Sequence, residues 1–203
     1  MGSWSVSVMD VLAESLRSCL SARTPRIRAE WDARPAAVLV PLFMMDGEWH
    51  VLFTERTETV EDHKGQVSFP GGRVDDGDAS RLETALRETE EEIGLRRDDV
   101  TILGQLDELL TSTLYHITPI VGTFQWPYEF RLSSDELSEV FGVPLKWLAD
   151  PANVEIRHLD HPIYGPQIPV YFFHYATHTI WGATARMVVN LLEVVRPLLA
   201  VSP

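Results

Sequence analysis

Cysteine is almost absent from the chain: Cys19 is the only one among 203 residues. A single cysteine excludes an intrachain disulfide and any zinc site built from several cysteines. Long apolar runs are absent too, since the longest, 36–45, has ten residues and contains Pro41, which is too short to cross a bilayer. The N-terminus lacks the basic and then apolar pattern of a secretory signal. We therefore expect a protein of the cytoplasm that does not enter a membrane.

Positive charge is scarce. Lys and Arg number 17 against 30 Asp and Glu, which gives a formal net charge of −13. Proteins that bind nucleic acid neutralise phosphates with a basic surface, so no nucleic-acid partner is expected. A substrate with several negative charges would need positive charge from another source, and a divalent cation is the simplest one.

The hydrophobic pattern predicts strands and helices that alternate along the chain. Strands are predicted at 36–45, 49–56, 66–69, 100–106, 117–125, 140–143, 154–159, 168–175 and 179–181, and helices at 9–22, from Asp78 or Ser80 to Ile93, and 183–199. Asp46-Gly47 is a hairpin turn signal. Interleaved elements favour one α/β or α+β domain over separate domains. We divide the chain into an N-terminal helix and linker (1–35) and a main domain (36–203).

Three glutamates share one face of the helix that ends at Ile93. At about 100° per residue, Glu91 lies about 300° and Glu92 about 40° from Glu88. Like charges so placed cost an isolated helix about 0.2–0.5 kcal/mol per pair. Carboxylate oxygens gathered on a rigid element are ligands suited to Mg²⁺ or Mn²⁺, and Arg87 is placed to orient one of them. The alternative, a solvated acidic face, stays open on these residues alone.

The surrounding segment resembles the Nudix box, whose pattern is G-x5-E-x7-R-E-U-x-E-E-x-G-U with U a bulky aliphatic residue. The matching positions are Gly72, Asp78, Arg87-Glu88-Thr89, Glu91-Glu92 and Gly94-Leu95. Asp78 stands in place of Glu, one extra residue precedes Arg87, and Thr89 replaces an aliphatic residue. None of these departures affects the three glutamates.

The resemblance implies a fold and a chemistry. Nudix hydrolases cleave the pyrophosphate of nucleoside diphosphate derivatives with the help of divalent cations, and their fold is an α/β/α sandwich with a mixed β-sheet, here followed by a C-terminal helix. It implies Mg²⁺ or Mn²⁺ held by Glu88, Glu91, Glu92 and a backbone carbonyl of the double-Gly turn, Gly72 or Gly71. The implied catalytic residues are Arg87, Glu88 and Glu91. The general base is open between Glu91 and a downstream carboxylate, Glu136 or Glu139, of which Glu139 is our candidate.

The run LFTERTETVEDHKGQVSFPGG resembles more closely the coenzyme A pyrophosphatase branch, and this likeness extends over roughly 36–195. It implies a small nucleotide substrate and a homodimer. Glu61 stands where the branch usually has Arg, and Thr57 where it has Ser or Ala. Both departures favour the alternative of another nucleotide, such as NADH, ADP-ribose or a dinucleoside polyphosphate; a binding module without turnover is a further alternative. The candidate substrate-binding residues are Arg56, His63, Gln66, Arg73 and Tyr115.

Overall fold

The computed structural model describes residues 8–26, 32–57 and 65–199, with side chains from residue 11 onward. Within these ranges the chain forms four α-helices and eleven strands. The helices are α1 (Val8–Ser21), α2 (Arg81–Ile93), α3 (Leu145–Ala149) and α4 (Gly182–Leu199). The strands are β1 (Arg34–Met45), β2 (Glu48–Arg56), β3 (Val67–Ser68), β4 (Gly71–Arg73), β5 (Thr101–Gln105), β6 (Leu109–Leu110), β7 (Tyr115–Thr123), β8 (Leu137–Pro144), β9 (Val154–His161), β10 (Gly165–Tyr175) and β11 (His178–Trp181).

The main sheet is built around β1 and has the order β3-β2-β1-β7-β5. β1 runs parallel to β7 and antiparallel to β2 and β4, so the sheet is mixed, as expected. β8 pairs with β2, and β6 with β7. From Ala36 to Met45, β1 is a continuous apolar run, as expected for a strand with both faces covered. The predicted turn joins β1 to β2, and both Asp46 (φ 51°) and Gly47 (φ 79°) take positive φ.

Helices cover both faces of this sheet. α2 packs on one face, over Ala37 and Leu39 of β1. α1 and α4 pack on the other face, over Val38 and Val40. Alternate side chains of one strand thus enter two separate cores. The expected α/β/α sandwich with a C-terminal helix is confirmed.

The predicted N-terminal helix is present as α1. Its buried Leu16 and Leu20 pack in the core that α4 also joins. Arg23 follows it and donates to Asp107 at 2.8 Å. The division of the chain after residue 35 stays a prediction. None of the described helices is long and apolar enough to span a bilayer.

β9, β10 and β11 form a separate antiparallel sheet beside the main one. One feature of the fold differs from the sequence interpretation. The segment Gly71–Arg73, interpreted as a tight turn, is a strand paired with β1. Gly71 has φ 149°, and a Cβ there would lie 2.6 Å from the Cα of Val38. Glycine is needed because the two backbones approach so closely.

Candidate active site

Both ends of α2 are capped, which makes it a rigid support for its carboxylates. Ser80 is the N-cap, and its Oγ accepts the N–H of Glu83 at 3.2 Å. Gly94 ends the helix in the left-handed region at φ 71° and donates its N–H to the carbonyl of Glu90. Thr89 fits its buried position because its hydroxyl donates to the carbonyl of Ala85 at 2.6 Å. Asp78, the other candidate N-cap, accepts hydrogen bonds from Arg87 instead.

Glu92 is buried against the double-Gly strand. Its side chain accepts the backbone N–H of Gly71 at 3.0 Å, and the residue is only 8% exposed. Burial raises the pKa of Glu92 to about 7; the Gly71 N–H and the charge of Arg56 oppose this rise, while Glu88 and Glu136 add to it. A cation bound at this carboxylate would favour its ionised form.

Glu88 lies one turn before Glu92 and faces the next glycine of the strand. Its carboxyl group occupies the space that a Cβ at Gly72 would need. Burial raises the pKa of Glu88 as well, against the opposing charge of Arg87. Glu91, on the same helix, is far more open, with its side chain 61% exposed. Two carboxylates therefore meet the double-Gly strand, and a third stands at the solvent side.

We expect Gly72→Ala to impair the site more than the fold. The new methyl group would collide with the Glu88 carboxyl, which can swing away because it is the end of a flexible side chain. We expect the affinity for Mg²⁺ and the turnover to fall about 10- to 100-fold, the range seen when the support of a ligand is lost, with an almost unchanged melting temperature. Metal titration, turnover assays and thermal unfolding would check this. Gly77→Ala is the matched control, since nothing lies within 4 Å of a Cβ there; equal behaviour of the two variants would contradict the prediction.

Arg87 holds the acidic groups of the site in place. Its Nε and Nη2 donate to the two oxygens of Asp78 at 2.9 and 3.0 Å. It also lies 3.0 Å from Glu88 Oε1 and 3.1 Å from Glu91 Oε2, and it donates to the carbonyl of Arg73 at 3.3 Å. The guanidinium holds the pKa of Asp78 well below its usual range. Asp78 thus anchors Arg87, and Arg87 orients two of the three glutamates.

Arg87→Lys keeps the charge but removes the planar fork that contacts several carboxylates at once. We expect a 10- to 100-fold loss of turnover together with weaker metal binding, as is usual for residues that orient metal ligands. Steady-state kinetics over a range of Mg²⁺ concentrations would measure both. Arg97→Lys serves as control, because Arg97 contacts Glu83 and Glu90 of the same helix in an exposed position. Wild-type kinetics in Arg87→Lys would rule out the orienting role.

The side chain of Arg56 adds a second positive charge, besides that of Arg87, on the α2 side of the sheet. It lies 3.7 Å from Glu136 Oε2, and its charge acts on Glu92. Its Nε is buried and has no hydrogen-bond partner among the described residues. Gln66 lies beside it, accepting the backbone N–H of Arg56 at 3.1 Å. Thr57, one of the departures from the branch pattern, donates its N–H to the Glu136 carbonyl at 2.9 Å.

Other predicted residues are not brought together with α2. Glu139 lies on the opposite face of the sheet, 3.4 Å from Nε2 of His178. Tyr115 is stacked under the Arg34 guanidinium, at 4.2 Å from the ring centre. Arg73 is exposed, and only its carbonyl contacts Arg87. His63 and Glu61 lie outside the described residues.

Sequence reasoning did not propose Glu55 or His178, although the structure places both beside Glu139. No local motif links them, because they come from β2 and β11 and meet only through the tertiary fold. The pairing of Glu136 with Arg56 likewise depends on the register between β2 and β8.

The sandwich fold and the glutamate-bearing helix packed against a Gly-Gly strand together define a hydrolase of the Nudix type. The family model for the NUDIX domain matches residues 33–160. Two curated relatives are both described as "Uncharacterized Nudix hydrolase NudL". The one from Photorhabdus laumondii is 38% identical over 172 residues (85% of this chain, 90% of the relative), and the one from Yersinia pestis is 37% identical over 161 residues (79% of each). The chain therefore belongs to the Nudix family, and it is a pyrophosphohydrolase.

Solved structures agree at the level of the fold. The MutT/nudix family protein from Enterococcus faecalis matches with a TM-score of 0.55 at 16% identity, over 92% of this chain and 70% of that one. The Nudix hydrolase RenU from Mycobacterium smegmatis matches with a TM-score of 0.51 at 17% identity, over 85% and 89%. At such low identity these similarities establish the architecture and leave the substrate open.

Proposed function

We propose that this Nudix hydrolase cleaves the pyrophosphate of coenzyme A or acyl-coenzyme A with Mg²⁺ or Mn²⁺. Water adds to one phosphorus, and the products are 4′-phosphopantetheine, or its acyl form, and adenosine 3′,5′-bisphosphate. The main support is the convergence of Glu88 and Glu92 on the double-Gly strand, with Arg56 beside them. For the substrate itself the support is the sequence run from Leu52 through Gly72, which resembles the coenzyme A pyrophosphatase branch.

The donor set fits a hard divalent cation. Glu88, Glu91, Glu92 and the carbonyl of Gly72 offer only oxygen, which suits Mg²⁺ and Mn²⁺. The buried Glu92, whose pKa is raised to about 7, gains a counter-charge when such an ion binds. The bound ion would supply Lewis-acid stabilisation of the charge that develops on the phosphate oxygens.

The protein residues then have separate roles in our proposal. Arg56 binds a phosphate oxygen next to the metal ligands, and Gln66 lines the same edge. Arg87 positions Glu88 and Glu91. The general base is Glu91 or Glu136, since both are open to solvent on the α2 side, whereas the side chain of Glu139 lies on the other face. Arg73, His63 and Tyr115 stay candidate substrate contacts, and the homodimer and the cytoplasmic location stay predictions.

A substrate panel tests the proposal. The protein is incubated with Mg²⁺ or Mn²⁺ and coenzyme A, acetyl-coenzyme A, NADH, ADP-ribose or diadenosine polyphosphates, with a chelator control. Release of adenosine 3′,5′-bisphosphate that the chelator abolishes, faster than cleavage of the other compounds, is the expected result. Faster cleavage of another compound would replace coenzyme A as the substrate, which is the outcome that Thr57 and Glu61 favour. No turnover by folded protein would favour a binding module.

A further inference from the structure

Three metal-ligating side chains meet away from the Nudix helix. Glu55 of β2 and Glu139 of β8 are direct cross-strand partners, and His178 of β11 lies over them. Nδ1 of His178 is 3.3 Å from Glu55 Oε2, and its Nε2 is 3.4 Å from Glu139 Oε1. One donor atom of each residue lies within 4.8 Å of the other two. We call these three residues the β2-β8-β11 cluster.

The β2-β8-β11 cluster is separate from the proposed active site. Side chains alternate between the faces of a strand. Glu55 therefore shares the face of Phe53, which packs in the core with α4. Arg56, the next residue, faces the α2 side, where its charge acts on Glu92. The sheet thus stands between the cluster and the glutamates of α2.

The histidine of the cluster is held in one orientation and has an unsatisfied nitrogen. Its side chain is only 10% exposed, and its ring stacks on Phe141 at 3.8 Å with 10° between the planes. Nδ1 is buried and makes no hydrogen bond with any described residue, although it points toward Glu55. Buried polar atoms in native proteins nearly always have a partner, so an atom like this one needs an explanation.

The two carboxylates also repel each other across the strands. Like charges directly opposite on neighbouring strands are destabilising, and burial together with the nearby Glu139 raises the pKa of Glu55, against the opposing charge of His178. A bound cation would relieve this repulsion and would occupy the unsatisfied nitrogen at the same time. An imidazole nitrogen combined with carboxylate oxygens suits Zn²⁺ and related transition metals better than Mg²⁺.

We propose that Glu55, Glu139 and Nδ1 of His178 bind one Zn²⁺ ion or a similar divalent transition metal. Two ligands of a tetrahedral zinc ion, each about 2.0–2.1 Å from it, lie about 3.4 Å apart, which matches the separation of Nδ1 from Glu55. Glu139 is 47% exposed, so its carboxyl group is free to rotate toward the ion. The ion would fasten β11, and with it the three-stranded sheet, to the main sheet.

Cobalt substitution tests this site without relying on activity. The protein is titrated with Co²⁺ in excess Mg²⁺, which would occupy the proposed oxygen-only site on α2. We expect one equivalent of Co²⁺ to give the visible absorption of a four-coordinate ion, Zn²⁺ to displace it, and Zn²⁺ to raise the melting temperature by several degrees. We expect His178→Gln to lower the affinity by at least 100-fold, more than the loss of an outer-shell partner costs.

Two further variants keep the proposal open to refutation. His174→Gln is the matched control, because His174 also lies beside a glutamate, Glu155, but in an exposed position; it should bind Co²⁺ as the wild type does. Glu139→Gln is the second test in case His178→Gln fails to fold, and it should weaken binding as well. Absence of the absorption band, or an undiminished band in His178→Gln and Glu139→Gln, would overturn the site.

Discussion

Glu92→Gln is expected to lower metal-dependent hydrolysis of the proposed substrate, coenzyme A, by at least 100-fold while the protein stays folded. Glu92 is the most buried of the three glutamates and lies directly against the double-Gly strand. Loss of an outer-shell partner of a metal ligand typically costs 10- to 100-fold, so loss of the ligand charge itself should cost more. The Gln side-chain oxygen can still accept the N–H of Gly71, which preserves the local packing. Turnover under saturating Mg²⁺ and the circular dichroism spectrum would measure both effects.

Glu90→Gln is the matched control for this experiment. It is the same substitution on the same helix, but Glu90 faces away from the site and pairs with Arg97. We expect turnover within about twofold of wild type, since exposed ion pairs contribute little. Chelator-sensitive turnover in Glu92→Gln close to that of Glu90→Gln would remove Glu92 from the metal site. If another nucleotide proves to be the substrate, the same comparison applies to that compound.

The helix and the face that carries its three glutamates were predictable because the information is local. The spacing of Glu88, Glu91 and Glu92 defines one helix face in any fold, and Ser80 and Gly94 are residues that cap helices wherever they occur. The structure also explains the departure at position 78, because Asp78 forms two hydrogen bonds with Arg87. Asp78 is shorter than the Glu of the Nudix box, and the chain between it and Arg87 is one residue longer than in the box; the two side chains still meet.

The distribution of residues between the two faces of the sheet was not predictable. Glu136 and Glu139 are three residues apart, and nothing in the sequence says which one faces α2. The register of β8 on β2 decides it, and a shift between Glu55 and Arg56 changes the pairing at this point. A one-residue change of register moves a side chain to the other face of a sheet. Glu139 was our candidate from the sequence, whereas the structure places Glu136 beside Arg56. His178 was missed because it lies on β11 and meets Glu55 and Glu139 only through the tertiary fold.

Without metal, Glu92 should make the protein less stable at alkaline pH. In the folded state its pKa is about 7 instead of 4.5, so between these values the folded protein holds a proton that the unfolded chain has released. The free energy of unfolding therefore falls as the pH rises through this range and stays low above it. One pH unit in pKa corresponds to about 1.36 kcal/mol, so the effect is on the order of 3 kcal/mol.

Glu92→Gln removes this ionisation. The free energy of unfolding of the variant minus that of the wild type should therefore increase by on the order of 3 kcal/mol from about pH 5 to about pH 8. Urea unfolding in the presence of a chelator would measure the difference, with Glu90→Gln as the reference. Glu88, whose pKa is also raised, contributes in the same direction in each protein. A constant difference across this range would contradict the buried, ionising Glu92. Mg²⁺ should reverse the effect in the wild type alone, because an ion that binds the carboxylate stabilises the folded state in its ionised form.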